Sequence, residues 1–277
     1  MDIPSYEPAA ALEFFKAGGE VETIPAGRTI FREDRRGRRS LFVRDKMYLL
    51  LKGRVSLTAA AHEIRAVKAG EIFGEMAAFA GTPRSATAVA KTPCRLIALD
   101  SKQFRKALAK KPAFALMLMK VLVARLREAV ARAKDKGVLN VQDGEDVPQE
   151  PPVFDPGSLA DMVRGLCDDA PVTFMRNQVI LEEGQVGTRM YAVLDGRIAV
   201  SINGAVVDRI GPGGMLGELA LIDQSPRLAS AVAEDNVTLQ PINRNAFIAL
   251  VKLDPELGAA LLAALAERLH YLTGRLK

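Results

Sequence analysis

Two segments of the chain each place a glutamate and an arginine nine residues apart, at Glu75 and Arg84 and again at Glu218 and Arg227. A guanidinium group can donate two parallel hydrogen bonds to the oxygens of a phosphate. A carboxylate only accepts hydrogen bonds, and it therefore suits the hydroxyl group of a sugar. The two residue types together indicate a ligand that contains both a phosphate and a ribose.

The residues around each pair predict the local structure that would position it. Each segment begins with a glycine and continues as a single helical turn, a Pro-Arg turn and an Ala-Val-Ala strand. The free backbone N–H groups at the start of a short helix can also bind an anion. The candidate ligand-binding residues are Phe73, Gly74, Glu75, Met76, Ala77, Pro83, Arg84, Ser85, Ala86 and Thr87, and Leu216, Gly217, Glu218, Leu219, Ala220, Pro226, Arg227, Leu228, Ala229 and Ser230.

These segments belong to an internal repeat that extends over most of the chain. From Met47 and Met190 onward the two copies align without a gap at an offset of 143 residues. Upstream, Ile30 aligns with Ile180 at an offset of 150. The first copy therefore carries an insertion between residues 33 and 47.

The repeat also predicts the domain boundaries. We expect one domain at residues 1–136 and a second at residues 157–277. Residues 137–156 are acidic, contain prolines and lack apolar periodicity, which is typical of a linker. Each domain is predicted to begin with a short helix (about 8–17 and about 157–168), to continue as short strands and to end in two helices.

The two segments resemble the phosphate-binding cassette of cyclic nucleotide-binding domains, as in the catabolite activator protein, cyclic nucleotide-gated channels and the protein kinase A regulatory subunit. We call residues 73–87 cassette 1 and residues 216–230 cassette 2. The resemblance covers nearly the whole chain and implies an α+β, mainly β fold, with two β-rolls (double-stranded β-helix, jelly-roll-like) that are each flanked by helices. It also implies that the glutamates bind the ribose 2′-hydroxyl and that the arginines pair with the cyclic phosphate of cAMP or cGMP.

Recognition of the base is where the two copies differ. The cassette arginine is followed by Ser85 in the first copy and by Leu228 in the second. Family members that favour cGMP bind guanine with a threonine hydroxyl at this position, so that Leu228 favours cAMP in the second site. The candidates for a lid over the base, near the ends of the last helices, are Arg125, Glu128, Arg268 and Tyr271.

The last helix of each copy carries a long apolar stripe, over about 114–128 and about 257–272. In dimeric transcription factors of the family, the equivalent helix pairs with its twin. We therefore expect these closing helices to pair, either within one chain or between two chains of a homodimer. Ser101 and Asn243 are predicted to cap the helix that precedes each closing helix.

Several classes of function receive no support from the residues. No run of about 18 apolar residues predicts a membrane span, and the first residues do not resemble a signal peptide. Cys94 and Cys167 lie far apart in the sequence and are not expected to form a disulfide bond, which fits the reducing cytoplasm. His62 and His270 do not have the spacing of metal ligands. We expect neither an enzyme nor a cofactor, and no DNA-binding domain, because a second binding domain takes the place of the family's helix-turn-helix.

The leading hypothesis is a cytoplasmic tandem cyclic-nucleotide sensor that acts through an unidentified protein partner or through self-association. The alternative is a structural or interaction protein of the same fold that binds a cyclic dinucleotide or no nucleotide. The net charge of +5 and the basic run Arg35–Arg39, next to Ser40 as a candidate kinase target, leave a nucleic-acid or acidic partner open. Interleaved aromatic residues, which commonly stack on single-stranded nucleic acid, do not accompany this run.

Overall fold

The computed structural model describes residues 3–33, 45–59, 62–139, 153–155, 157, 158, 163, 166 and 169–276. The basic run Arg35–Arg39, Ser40 and Cys167 lie outside the described residues, as do most of the predicted linker and most of the helix predicted at about 157–168.

The strands of the first repeat form two four-stranded antiparallel sheets, with the orders β1-β8-β3-β6 and β2-β7-β4-β5. The strands are β1 (Glu20–Ile24), β2 (Thr29–Phe31), β3 (Lys46–Lys52), β4 (Arg54–Ala59), β5 (His62–Lys68), β6 (Ile72–Phe73), β7 (Thr87–Ala90) and β8 (Cys94–Asp100). Apolar side chains from both sheets, among them Leu50, Val55 and Leu96, form one buried cluster. The core of the repeat therefore lies between its two sheets.

The second repeat has the same topology, with the sheet orders β14-β11-β16-β9 and β10-β15-β12-β13. Its strands are β9 (Val172–Phe174), β10 (Val179–Leu181), β11 (Arg189–Asp195), β12 (Ile198–Ile202), β13 (Ala205–Ile210), β14 (Met215–Leu216), β15 (Ser230–Ala233) and β16 (Val237–Asn243). Val193, Ile198 and Leu239 lie in its own buried cluster. The α+β, mainly β fold of two helix-flanked β-rolls is confirmed.

The helices lie at the ends of the sheets and within the cassettes. They are α1 (Pro8–Lys16), α2 (Glu75–Ala80), α3 (Ser101–Lys110), α4 (Ala113–Asp135), α5 (Glu218–Asp223), α6 (Arg244–Leu253) and α7 (Pro255–Arg275). The cassette helices are thus α2 and α5, and the closing helices are α4 and α7. In the described part of the chain, no helix combines the length and the apolar character needed to cross a bilayer.

The prediction that Ser101 caps α3 is wrong. Asp100, whose backbone is extended, accepts a hydrogen bond from the backbone N–H of Gln103 at 2.7 Å, and the Gln103 side chain accepts one from the backbone N–H of Asp100 at 2.8 Å. Ser101 is already helical. Asn243 caps α6 as expected, with 3.0 Å from Ala246 N to its Oδ1.

The two closing helices pack against each other within the chain. Leu122 and Leu126 of α4 share one buried cluster with Leu265 and Leu269 of α7. Near the start of α7, a Cβ atom added to Gly258 would lie 3.3 Å from the Cβ of Ala115, so the two helices approach closely there. Of the two pairings expected for the apolar stripes, the structure has the intrachain one.

The contacts between the repeats are reciprocal. The first repeat's cassette helix, α2, packs against the second repeat's closing helix, α7. The second repeat's cassette helix, α5, packs in the same way against α4. Each cassette therefore contacts the closing helix of the other repeat.

Candidate functional site

The cassette arginines are held by backbone carbonyl groups in the same way in both repeats. Arg84 donates from Nη1 to the carbonyl of Gly74 and from Nη2 to that of Lys46, each at 2.7 Å. Arg227 donates from Nη1 to the carbonyl of Gly217 at 2.6 Å and from Nη2 to the carbonyl of the first residue of β11. These contacts orient the guanidinium group. Because a guanidinium carries five N–H bonds, further donors remain for a ligand.

The glycines that open the cassette helices are required for this contact. Gly74 has a φ of 75° and Gly217 a φ of 84°, in the left-handed region that glycine adopts readily. A Cβ atom at Gly74 would also lie 2.9 Å from Nη1 of Arg84. The glycine thus provides both the backbone conformation and the space in which its carbonyl meets the guanidinium.

The surroundings of the two arginines differ. Arg84 also pairs through Nε with Asp45 at 3.2 Å and lies 4.2 Å from the centroid of the Phe31 ring. Among the described residues, no carboxylate forms an ion pair with Arg227, which is only 8% exposed. Burial lowers the pKa of both guanidinium groups from the usual value. Burial of these cations is unfavourable, and a bound anion would offset that cost.

Each cassette glutamate is buried and paired with an arginine from the closing helix of its own repeat. Glu75 accepts a hydrogen bond from Arg125 of α4, and Glu218 accepts one from Arg268 of α7. The exposed fractions of the two glutamate side chains are 5% and 4%. The second carboxylate oxygen of Glu218, Oε2, is buried and receives no hydrogen bond from the described residues. It is an acceptor for which a ligand hydroxyl would be a suitable donor.

Asp208 is a further charged group in the second site, and sequence reasoning missed it. Its Oδ2 lies 3.4 Å from Nε of Arg268, so that this arginine stands between Asp208 and Glu218. Burial raises the pKa of the Asp208 carboxyl, while the Arg268 charge opposes the shift. The only signal in the sequence is a carboxylate within the apolar strand β13, where the first repeat has Arg65.

A cavity of about 350 Å³ brings most of the predicted second-site residues together. They are Leu216, Gly217, Glu218, Leu219, Ala220, Arg227, Leu228, Ala229 and Ser230 of cassette 2, with Arg268 and Tyr271 of α7. Pro226 does not line the cavity.

The corresponding cavity of the first repeat has a volume of about 730 Å³. Its lining includes Phe73, Gly74, Glu75, Met76, Ala77, Arg84, Ser85 and Ala86 of cassette 1, with Arg125 and Glu128 of α4. Pro83 and Thr87 are not part of this lining, and the Thr87 hydroxyl instead accepts a hydrogen bond from the backbone N–H of Glu33 at 2.9 Å. Both cavities lie within the range of about 300–1,000 Å³ that is usual for small-molecule sites.

Each cavity is completed by residues of the other repeat. Thr82, Leu126 and Val130 of the first repeat line the second cavity. Leu269, Thr273 and Leu276 of the second repeat line the first cavity. Sequence reasoning missed these residues because the alignment of the repeats compares equivalent positions and contains no information on how the repeats dock. The apolar stripes of the closing helices were the only signal.

Comparison with known proteins finds one kind of domain twice in the chain. Residues 21–111 and 171–254 each match the family model of the cyclic nucleotide-binding domain. The chain is similar to the cAMP-dependent protein kinase regulatory subunit of Eremothecium gossypii, at 27% identity over 231 residues that cover 82% of this chain and 43% of that protein. It is also similar to the CRP-like cAMP-activated global transcriptional regulator of Mycobacterium tuberculosis, at 29% identity over 42% of this chain and 53% of that protein.

Among solved structures, the regulatory domain of Toxoplasma gondii protein kinase A with cAMP matches at 22% identity and a TM-score of 0.30, covering 85% of this chain and 83% of that one. The alignments with the two curated relatives span only 43% and 53% of the length of those proteins.

Proposed function

Because the chain belongs to the cyclic nucleotide-binding domain family and carries this domain twice, we propose that it is a sensor that binds a cyclic nucleotide, cAMP by preference, in each of its two pockets. One observation carries the proposal. In each cavity, a buried arginine with unused N–H donors lies together with a buried glutamate. These are the two groups that a cyclic phosphate and a ribose hydroxyl require.

The geometry of the second pocket supports a specific orientation of the nucleotide. The cyclic phosphate would pair with Arg227, and the ribose 2′-hydroxyl would donate to Oε2 of Glu218. The purine would then lie against the apolar walls and under Tyr271, whose ring suits stacking on a flat base. Because Arg227 is already oriented by two carbonyl groups, little conformational entropy is lost when it binds the phosphate.

The preference for cAMP rests on the residue that follows the cassette arginine. In the second repeat this residue is Leu228, which lines the cavity and offers no hydroxyl to a guanine amino group. The first repeat has Ser85 there, which also lines its cavity. We therefore expect a stronger preference for cAMP in the second site than in the first.

The output of the sensor is proposed to be a change in a partner protein. Two domains of the family account for most of the chain, and the name of the Eremothecium gossypii relative associates cAMP with control of a protein kinase. We propose a non-catalytic protein of the cytoplasm, in which the closing helices transmit the state of the pockets to an effector.

Calorimetric titration of the intact chain with cAMP, cGMP and a cyclic dinucleotide tests the proposal. We expect two equivalents of cAMP to bind. Removing one member of a desolvated charge pair costs about 2–5 kcal/mol, so that Arg84→Ala and Arg227→Ala should each weaken their own site by about tenfold or more. Arg105→Ala is the matched control, because its side chain is 60% exposed and lines neither cavity.

Parent-like binding by both cassette variants would show that the phosphate lies elsewhere. If the parent chain bound neither cAMP nor cGMP, the protein would instead be an interaction protein with the same fold, or a receptor for the cyclic dinucleotide if that compound bound.

A further inference from the structure

Two residues that line the second cavity carry buried hydroxyl groups that no described residue satisfies. They are Oγ1 of Thr82 and the phenolic oxygen of Tyr271. A buried hydroxyl without a hydrogen-bond partner destabilises a folded chain, and such groups are uncommon in native structures. Both residues line the same cavity, although Thr82 belongs to the first repeat and Tyr271 to the second.

Thr82 reaches this cavity through the docking of the repeats. It lies two residues after the end of α2, beyond Gly81, whose φ of 61° turns the chain out of the helix. Because α2 packs against α7, the turn that follows it is brought to the wall that α7 contributes to the second cavity. Leu126 and Val130 of α4 complete this wall with apolar side chains.

Several other polar groups of the cavity already have partners or roles in the proposed site. Arg227 matches the phosphate and Glu218 the ribose, Arg268 pairs with Glu218 and Asp208, and the Ser230 hydroxyl accepts a hydrogen bond from the backbone N–H of Glu183 at 3.0 Å. Thr82 and Tyr271 are lining residues whose buried hydroxyl groups the described residues leave unsatisfied, and Tyr271 belongs to a closing helix, where the purine would lie. A threonine hydroxyl both donates and accepts hydrogen bonds, so that it can accept from the 6-amino group of adenine.

We infer that Thr82 of the first repeat binds the edge of the purine in the second site, at its 6-position, so that the second nucleotide site is shared by the two repeats. This inference rests on the proposed function. It adds a specificity-determining residue that lies outside the repeat whose cassette binds the phosphate.

The second repeat provides a matched control. Ser225 stands at the position equivalent to Thr82, at the offset of 143, and also carries a hydroxyl. Its backbone N–H donates to Oδ1 of Asp223 at 3.1 Å, and it does not line the first cavity. A hydroxyl from the cassette turn of one repeat is thus expected to reach the nucleotide of the other repeat only in the second site.

The test uses Thr82→Val, which removes the hydroxyl and keeps the shape of the side chain. The variant is made in the Arg84→Ala background, where the first site is weakened and the titration measures mainly the affinity of the second site. We expect Thr82→Val to weaken cAMP binding about two- to tenfold, the range of one neutral hydrogen bond. Thr82→Ser should retain the parent affinity, and Ser225→Ala should leave the first site unchanged in the Arg227→Ala background.

Two further measurements separate base contact from a structural role. The loss should disappear with the cyclic phosphate of purine riboside, which lacks the 6-amino group. The melting temperature of nucleotide-free Thr82→Val should not fall, because the variant removes an unsatisfied buried group. Parent-like cAMP binding by Thr82→Val, or an equal loss with both ligands, would overturn the inference and leave the proposed function intact. Failure of the parent chain to bind any cyclic nucleotide would overturn both.

Discussion

At the scale of single residues, Arg268 connects two carboxylates that differ in their surroundings. It pairs with Glu218 in cassette 2 and lies 3.4 Å from Asp208 in β13. One guanidinium cannot neutralise two buried carboxylates. The result is the raised pKa of Asp208, caused first by burial and opposed by Arg268, with the Glu218 charge adding to the shift.

Replacing Asp208 by asparagine should therefore stabilise the nucleotide-free protein at neutral pH. A carboxyl whose pKa in the folded chain exceeds its usual 3.8 binds its proton more tightly there. The free energy of unfolding then falls as the pH rises through the folded pKa. Urea unfolding of parent and Asp208→Asn across pH should show an advantage for the variant at pH 7 that vanishes below the usual pKa. A variant less stable than the parent at pH 7 would mean that the ion pair with Arg268 outweighs the cost of burial.

At the scale of helices, the two docking contacts between repeats differ in charge. Arg127 of α4 donates to both carboxylate oxygens of Asp223, the last residue of α5, with 3.0 Å from Nη2 to Oδ1. The exposed fractions of the two side chains are 23% and 14%. At the equivalent positions the other contact has His270 and Ala80, and an alanine carries no charge. A bidentate ion pair thus joins cassette 2 to α4, and the equivalent positions of cassette 1 and α7 cannot form one.

A double-mutant cycle on Arg127→Ala and Asp223→Ala should measure a substantial interaction energy. Partly buried hydrogen bonds to charged groups contribute about 1.5–3 kcal/mol. The control is a cycle on Arg105 and Glu256, which also joins the repeats but whose side chains are 60% and 68% exposed. Exposed pairs typically contribute about 0.2–1 kcal/mol. Equal coupling energies from the two cycles, measured by urea unfolding, would contradict the role assigned to Arg127.

At the scale of the whole molecule, the reciprocal docking makes each pocket depend on both repeats. The first cavity is lined by Leu269 and Thr273 of α7, and the second by Leu126 and Val130 of α4. A nucleotide shifts an equilibrium between two arrangements only by its difference in affinity for them. Because the closing helices also pack on each other, we expect a ligand that favours one helix position to change the affinity of the other pocket. Any such effect is reciprocal, since each site must change the affinity of the other by the same factor.

Hydrogen exchange should reveal this coupling. We expect cAMP to slow amide exchange in both cassettes and across residues 114–128 and 257–272. The sharper prediction concerns Arg227→Ala at a cAMP concentration that fills the first site and leaves the weakened second site largely empty, because cAMP should then still slow exchange in α7. The unliganded variant provides the baseline. Protection limited to cassette 1 and α4 in that variant would show that the repeats respond independently.

The sequence by itself determined the local features of this protein. The repeat at an offset of 143 and the strand and turn patterns predicted two domains of short strands with closing helices. The family resemblance carried by the Gly-Glu and Pro-Arg pairs implied that each domain is a β-roll with a cassette. Asn243 was identified as a cap, whereas Asp100 was missed at the equivalent position because Ser101, next to it, is also a favourable capping residue. Such features depend on residues close together in the chain, and the hydrogen bonds of a turn or a cap can be inferred from a few neighbouring positions.

Only the tertiary structure decided how the cassettes are completed. Thr82 lies in the second cavity, and Asp208 lies beside Arg268, because helices and strands from distant parts of the chain pack together. The apolar stripes of α4 and α7 required a partner, but they were equally compatible with another chain. The intrachain pairing depends on the shape of facing surfaces, such as the close approach at Gly258, and on ion pairs such as Arg127 with Asp223. Apolar periodicity shows which face of a helix is buried, whereas the surface that covers it is selected by three-dimensional complementarity.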